Sequence, residues 1–166
     1  MRDDIPLTHA QDAQSLENAG FTQLLAIHLT APAAGGTILR FSAGPQLTWQ
    51  GLTFEAVPFS LTGLGSNSSG EVVRPRLSLP NAAGAFSPYA HDGWLNNAIV
   101  VRQLVRTADI AGNVNNSSQK KWRVSKVASL TKHMIVLELR GVFDGQQFKL
   151  PPRAFYPPDF PSVNLA

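Results

Sequence analysis

Cysteine is absent from the 166 residues, so disulfides, thiol nucleophiles and Cys-ligated zinc or iron–sulfur centres are excluded for this chain. Charge is sparse as well, at 15% of residues against the usual quarter of a globular protein. A surface with few solvated ions is cheaper to desolvate in a lasting interface, so the shortage points towards assembly. The net charge of +3 is mild, whereas a committed nucleic-acid binder carries a denser basic stripe. Long hydrophobic runs are missing too. Runs such as Ile99-Val100-Val101 are strand-sized and far short of the roughly 20 residues of a membrane helix. The opening MRDDIPLTHAQDAQ has no basic stretch followed by an apolar one, so no Sec signal is expected.

Catalytic patterns are lacking in the same way. His9, His28, His91 and His133 form no HExxH or other closely spaced ligand set. His91-Asp92 stands before Gly93 and reads as a turn, and His28 on an apolar strand reads as a core or interface side chain. There is no GxSxG elbow. Ser66, Ser68 and Ser69 lie in a Gly/Ser/Asn-rich run that could not hold a nucleophile, and no GK[ST] follows Gly63-Leu64-Gly65 to make a phosphate cradle. The 11 carboxylates are scattered, with no acid/base pair. The expectation is a protein that is not an enzyme and carries no cofactor.

What is present is β pattern. Residues 7 to 19 give the one helix the spacing predicts, with Asp3, Asp4 and Thr8 as caps, Pro6 at the entrance and a narrow Ala10, Ala13, Leu16 stripe. Gly20 is placed to end it in the left-handed conformation. Phe21 to Leu29 and Thr37 to Ser42 read as a hairpin. Leu47-Thr48-Trp49 and Leu52-Thr53-Phe54 flank Gln50-Gly51, a tight two-residue turn. Further strands are expected at Val72 to Leu79, Ile99 to Thr107, Trp122 to Leu130 and Met134 to Leu139, with loops at Gly63 to Gly70 and Ala111 to Gln119. The expected fold is mainly β, a small β-barrel or sandwich with an N-terminal helical segment (1–20), a β domain (21–150, with a small insertion around 55–110) and an extended Pro-rich arm (151–166).

The arm holds five prolines within eleven residues, which removes backbone donors and bars it from a central strand. Pro151, Pro152, Pro157 and Pro158 interleave with Phe155, Tyr156 and Phe160. Aromatic anchors on an extended segment fit the grooves of a neighbouring subunit, so these seven residues are the candidate partner interface. A second candidate is a basic face. Arg102, Arg106, Arg123 and Lys126 fall on consecutive expected strands. Alternation puts Lys121 and Arg123 on one face and Lys126 on the other, and pairing with the strand of Arg102 and Arg106 would gather four charges into a surface attractive to phosphate; the competing expectation is a solvated face or salt bridges to a subunit neighbour. Trp49, Trp94 and Trp122 are candidate sugar platforms, of which Trp94, beside Gly93 and Asn96, is the one expected outside the core.

The order of these pieces resembles a known family. Leu47 to Pro58 (LTWQGLTFEAVP) looks like the strand–WQG–strand–Pro hairpin of the lambdoid, long-tailed phage minor tail protein L family. It is followed by the Gly63 to Gly70 loop, Arg74-Pro75-Arg76-Leu77-Ser78-Leu79-Pro80-Asn81 with Gly84 behind, and Ala98 to Arg106. A Trp-led strand (Lys121-Trp122-Arg123-Val124) and Leu150-Pro151-Pro152-Arg153 complete the pattern. The opening helix and Ile27, Leu29, Thr30 also fit, so the likeness runs from about residue 7 to residue 160. It implies a structural subunit of the phage tail tip, in a hub ring (a trimer in related proteins) between the distal tail protein and the central hub or fibre protein. Nucleic acid would then meet it only in passing through the tail channel, and no membrane is involved. The family usually continues into a Cys-containing iron–sulfur region, and the lack of cysteine excludes such a cluster here.

Overall fold

The computed structural model describes residues 20–30, 37–65 and 74–142. They form one nine-stranded mixed sheet: β1 (Phe21–His28), β2 (Ile38–Ser42), β3 (Leu47–Trp49), β4 (Leu52–Ala56), β5 (Ser60–Thr62), β6 (Arg76–Pro80), β7 (Ile99–Arg106), β8 (Ser117–Leu130) and β9 (Met134–Gly141). The spatial order is β3-β4-β2-β1-β7-β8-β9-β6-β5. All neighbours run antiparallel except β2 and β4. The mainly β expectation therefore holds, as one sheet rather than the two of a sandwich. Residues 55–110 supply β5, β6 and the central β7 to that same sheet.

Alternation along the strands assigns the two faces. Leu25 and Ile27 of β1, Phe41 of β2, Leu77 and Leu79 of β6, Val100 of β7, Val124 of β8, and Ile135, Leu137 and Leu139 of β9 are buried in one cluster. Laid flat, β2 and β6 would stand about 24 Å apart across five strand spacings of ~4.8 Å. They share a core because the sheet curls, and Phe86 bridges the opening. Its ring meets Phe41 edge-on at 5.7 Å, while its backbone N–H donates to Asn81 Oδ1, just past β6, at 2.9 Å. Asn81 is fully buried. Its Nδ2 donates to the Thr131 carbonyl at 2.7 Å, tying the β6 exit to the β8–β9 turn.

A smaller cluster of Leu24, Trp49, Phe54 and Val105, with Leu47 and Ile110 against it, lies on the opposite face. There the β3–β4 hairpin and a short helix, α2 (Thr107–Ala111), cover one end of the sheet. The other short helix, α1 (Ser87–His91), follows a 3₁₀ turn at Ala82–Gly84. Neither helix was legible in the sequence. Both are single turns that bury no residue fully, so they lack the apolar stripe that would mark them.

Several boundaries move. The strand expected from Trp122 begins at Ser117, absorbing part of the loop expected at 111–119. Thr107 starts α2 instead of ending β7. Gly20 opens the first described stretch, just ahead of β1. Its carbonyl accepts from Thr107 N and Thr107 Oγ1, each at 2.8 Å, and a Cβ there would meet Thr107 Oγ1 at 3.1 Å. That close approach favours glycine here. The helix expected at 7–19 lies outside the described residues.

Candidate subunit-docking surfaces

The β3–β4 hairpin turns on Gln50 and Gly51, with φ of 52° and 72°, the positive pair that a type I′ turn requires. Register pairs Trp49 with Leu52 across it. The turn clamps the loop after α2. Trp49 Nε1 donates to the Val114 carbonyl at 3.1 Å, and Gln50 N–H donates to Asn113 Oδ1 at 2.8 Å. Gln50 Nε2 also donates to the Asn113 carbonyl. Asn113 itself sits at φ 51°, a left-handed position that Asn tolerates well. The Trp-Gln-Gly run thus carries a core ring, a side-chain clamp and a turn residue in sequence. Around it Leu52 and Val114 stand exposed.

The basic residues divide between the two faces. On β7 and β8, Arg102 pairs with Lys120 and Ile99 with Arg123. Arg102 and Arg106 therefore share the core face of the sheet with Val100, towards its open end, and Arg123 points to the outer face. The four charges do not gather on one surface, because the register opposes Arg102 to Lys120 rather than to the 121/123 set. Arg102 Nε is buried there with no hydrogen-bond partner among the described residues. Lys126 joins Arg123 on the outer face only through a bulge: Val124 pairs with Leu139 and Lys126 with Glu138, leaving Ser125 as an extra residue.

That outer face carries cations which sequence spacing does not connect. One cross-strand row runs Arg40, Ala26, Val101, Lys121; the next runs Ile38, His28, Ile99, Arg123, Arg140. Asn97, at φ 61°, organises the end of the second row. Its Oδ1 accepts from Arg140 Nη2 at 3.0 Å, and its carbonyl faces Arg123 Nη1 at 3.5 Å. Partial burial lowers the His28 pKa from its usual value, and the nearby charges of Arg40 and Lys121 lower it further. The six strands β1, β2 and β6–β9 contain a single carboxylate, Glu138. It is already engaged, by Arg74 at 2.9 Å and Lys126 at 3.6 Å. The Arg74 hydrogen bond above all holds its carboxyl below the usual carboxylate range.

The other candidates resolve simply. The arm residues Pro151, Pro152, Phe155, Tyr156, Pro157, Pro158 and Phe160 lie outside the described residues. Trp49 is buried, and Trp122 is half-buried against the main core. Trp94 is half-buried as well, 5.9 Å from the Tyr89 ring; its carbonyl accepts from Thr30 N at 3.0 Å and Thr30 Oγ1 at 2.9 Å. It is thus folded onto the core by the turn after α1. His91 closes α1 and Gly93 takes φ 74° in the turn that follows. Among the described residues no three His, Asp or Glu side chains converge on a metal-sized site.

Comparison with known proteins agrees with this architecture. A chain from the virion of a native gene transfer agent particle is similar in fold, with a TM-score of 0.56 and 18% identity. The match covers 92% of this chain and 50% of that one, so this chain spans about half of the neighbour's length. No curated protein sequence matches. The family model described as phage minor tail protein L matches residues 32–157, which takes in the Trp-Gln-Gly hairpin, every strand after β1 and the start of the Pro-rich segment. The chain belongs to the phage minor tail protein L family, a family of virion tail proteins.

Proposed function

We propose that the protein is a tail-tip hub subunit, one unit of a ring between the distal tail protein and the central hub or fibre protein. Family membership across residues 32–157 carries this reading. Three observations support it: the sparse charge of the chain, short three-residue strands at both ends of the sheet among the described residues, and side-chain chemistry spent on clamping the β3–β4 turn. Short edges limit open-ended strand pairing, which suits a subunit whose contacts must close into a ring. The Pro-rich arm is proposed to reach a neighbour and seat Phe155, Tyr156 and Phe160 in its grooves. The role is mechanical, and no catalysis is assigned.

The test is co-expression with the distal tail and central hub proteins of the same phage, followed by native mass spectrometry and electron microscopy. The expected product is a closed ring containing this chain between the two partners. Removing residues 151–166 is expected to leave a folded domain that no longer enters the ring. A chain that stays monomeric beside both partners would refute the reading.

A further inference from the structure

The paired cationic rows on the outer face violate an ordinary rule of sheets. Like charges directly opposite one another are destabilising, yet Arg123 pairs with Arg140, and Arg40 and Lys121 flank the imidazole of His28 closely enough to lower its pKa. The only carboxylate on these strands is held by Arg74 and Lys126. Local rules are broken in this way where a surface serves something outside the fold. Across three and four strand spacings the two rows extend about 14 Å and about 19 Å. They alternate the cations with Ala26, Val101, Ile38 and Ile99.

That alternation identifies the occupant. A phosphate backbone offers charge but nothing to meet Ile38 and Ile99, and these rows hold no Phe, Tyr or Trp ring on which a base could stack, only the half-buried imidazole of His28. A protein face with carboxylates set among apolar side chains meets both components, and arginine is enriched in such interfaces. A second copy of this chain is a poor match, because the chain carries 14 basic against 11 acidic residues. We infer that the outer face formed by Arg40, His28, Lys121, Arg123 and Arg140 docks a different tail subunit through an acidic, partly apolar surface. The inference rests on the tail-subunit reading above and specifies which face meets a partner.

Lys121 makes a direct test possible, because a carbodiimide joins an amine to a carboxylate only when the two are in salt-bridge contact. Assembled tails are treated with the reagent and the linked peptides are identified by mass spectrometry. Lys121 is expected to be joined to an Asp or Glu of another tail protein. A triple Arg40→Glu, Lys121→Glu, Arg123→Glu variant is expected to fold, by circular dichroism, and to lose at least tenfold in incorporation. The Gln equivalents are expected to lose less, and Lys132→Glu, on the distant β8–β9 turn, none. Lys121 linked only within its own chain, including to Asp3, Asp4, Asp12 or Glu17, or to a second copy, would overturn the inference. So would full incorporation of the triple variant, or protection of Lys121 by duplex DNA alone. If the chain enters tails but this face stays unlinked, the docking inference falls and the tail-subunit reading stands; if it enters no tail, that reading falls.

Discussion

Trp49→Ala should separate the two hydrophobic clusters of this fold. Trp49 is 3% exposed and packs with Leu24, Phe54 and Val105 in the small cluster, apart from the main core. A buried Trp covers about 150–250 Å², roughly 4–6 kcal/mol at ~25 cal/mol per Å²; measured truncations of this kind cost about 3–5 kcal/mol. The lost bond from Nε1 to the Val114 carbonyl adds little, because Val114 is half exposed and water can replace the donor. A domain of this size is stable by about 5–15 kcal/mol. The loss is therefore large for a five-residue strand and its turn, and smaller than what holds β1 and β7–β9. Hydrogen exchange should show amides of Leu52–Ala56 losing a hundred- to a thousand-fold of protection (about 1.4 kcal/mol per tenfold) and opening well before Ile135–Leu139, whose loss is limited to the fall in global stability. Equal protection of the two strands in the variant would refute the division, and so would no loss at all. Trp49→Phe, which keeps a ring but loses the donor, should fall in between.

Gly51→Ala meets nothing within 4 Å, so its cost is the left-handed backbone alone, about 1–2 kcal/mol. A lower urea midpoint at unchanged slope would register it, and an unchanged midpoint would contradict the turn assignment. Asn81→Ala orphans the buried Phe86 N–H, while the carbonyl of the exposed Thr131 can turn to water. At about 1–3 kcal/mol for the orphaned group, melting should show a loss of about that size. His28 titrates below its unfolded value of 6.5, so the folded state favours the neutral ring. That contribution is intact above pH 6.5 and is eroded as pH falls through 6.5 towards the lower folded value. Chemical denaturation from pH 7.5 to 5 should show a decline that His28→Gln flattens, and Arg40→Gln should raise the ring's pKa by NMR without restoring it fully, since burial is the larger cause. Glu138 works in a more acidic window. Its pKa is held down by Arg74, so the stability it confers is present above the unfolded carboxylate value and is lost as pH drops through the folded one; Arg74→Gln should reduce that acid-side loss.

Local signals in this chain were readable and non-local ones were not. The hairpin at Gln50-Gly51 follows from turn chemistry confined to two residues, and the β1–β2 pairing from two strand-like runs around a Gly-Gly connection. The burial of Trp49 was legible because it alternates with Thr48 inside that hairpin. The faces of β8 were not legible. Reading its residues by simple alternation puts Lys126 beside Trp122 and Val124, but Ser125 and Ala128 are each an extra residue against β9, so parity changes twice within one strand. Nothing in the composition of Ser125 or Ala128 announces a bulge. The grouping of Arg40 with Lys121 and of Arg123 with Arg140 depends on the register of four strands at once, which no spacing along the chain encodes.

The first bulge explains how β8 serves both faces. Val124 must enter the main core, where it is 1% exposed beside Leu139, and two positions later strict alternation would drive the Lys126 ammonium into the same apolar layer, opposite Leu137. Burying an unpaired ammonium there would cost several kcal/mol. The extra residue instead turns Lys126 out onto Glu138 and lets Val127 take the position opposite Leu137. Deleting Ser125 removes that correction: either Lys126 enters the core, or the β8–β9 hairpin slips by one residue and exposes Ile135 and Leu137. Both routes damage the main cluster that Trp49→Ala leaves intact. The deletion should therefore abolish protection in β9 and leave the β3–β4 hairpin without a sheet to pack on, and a deletion variant that unfolds at the same urea concentration as the parent would show that Ser125 is a passive insertion.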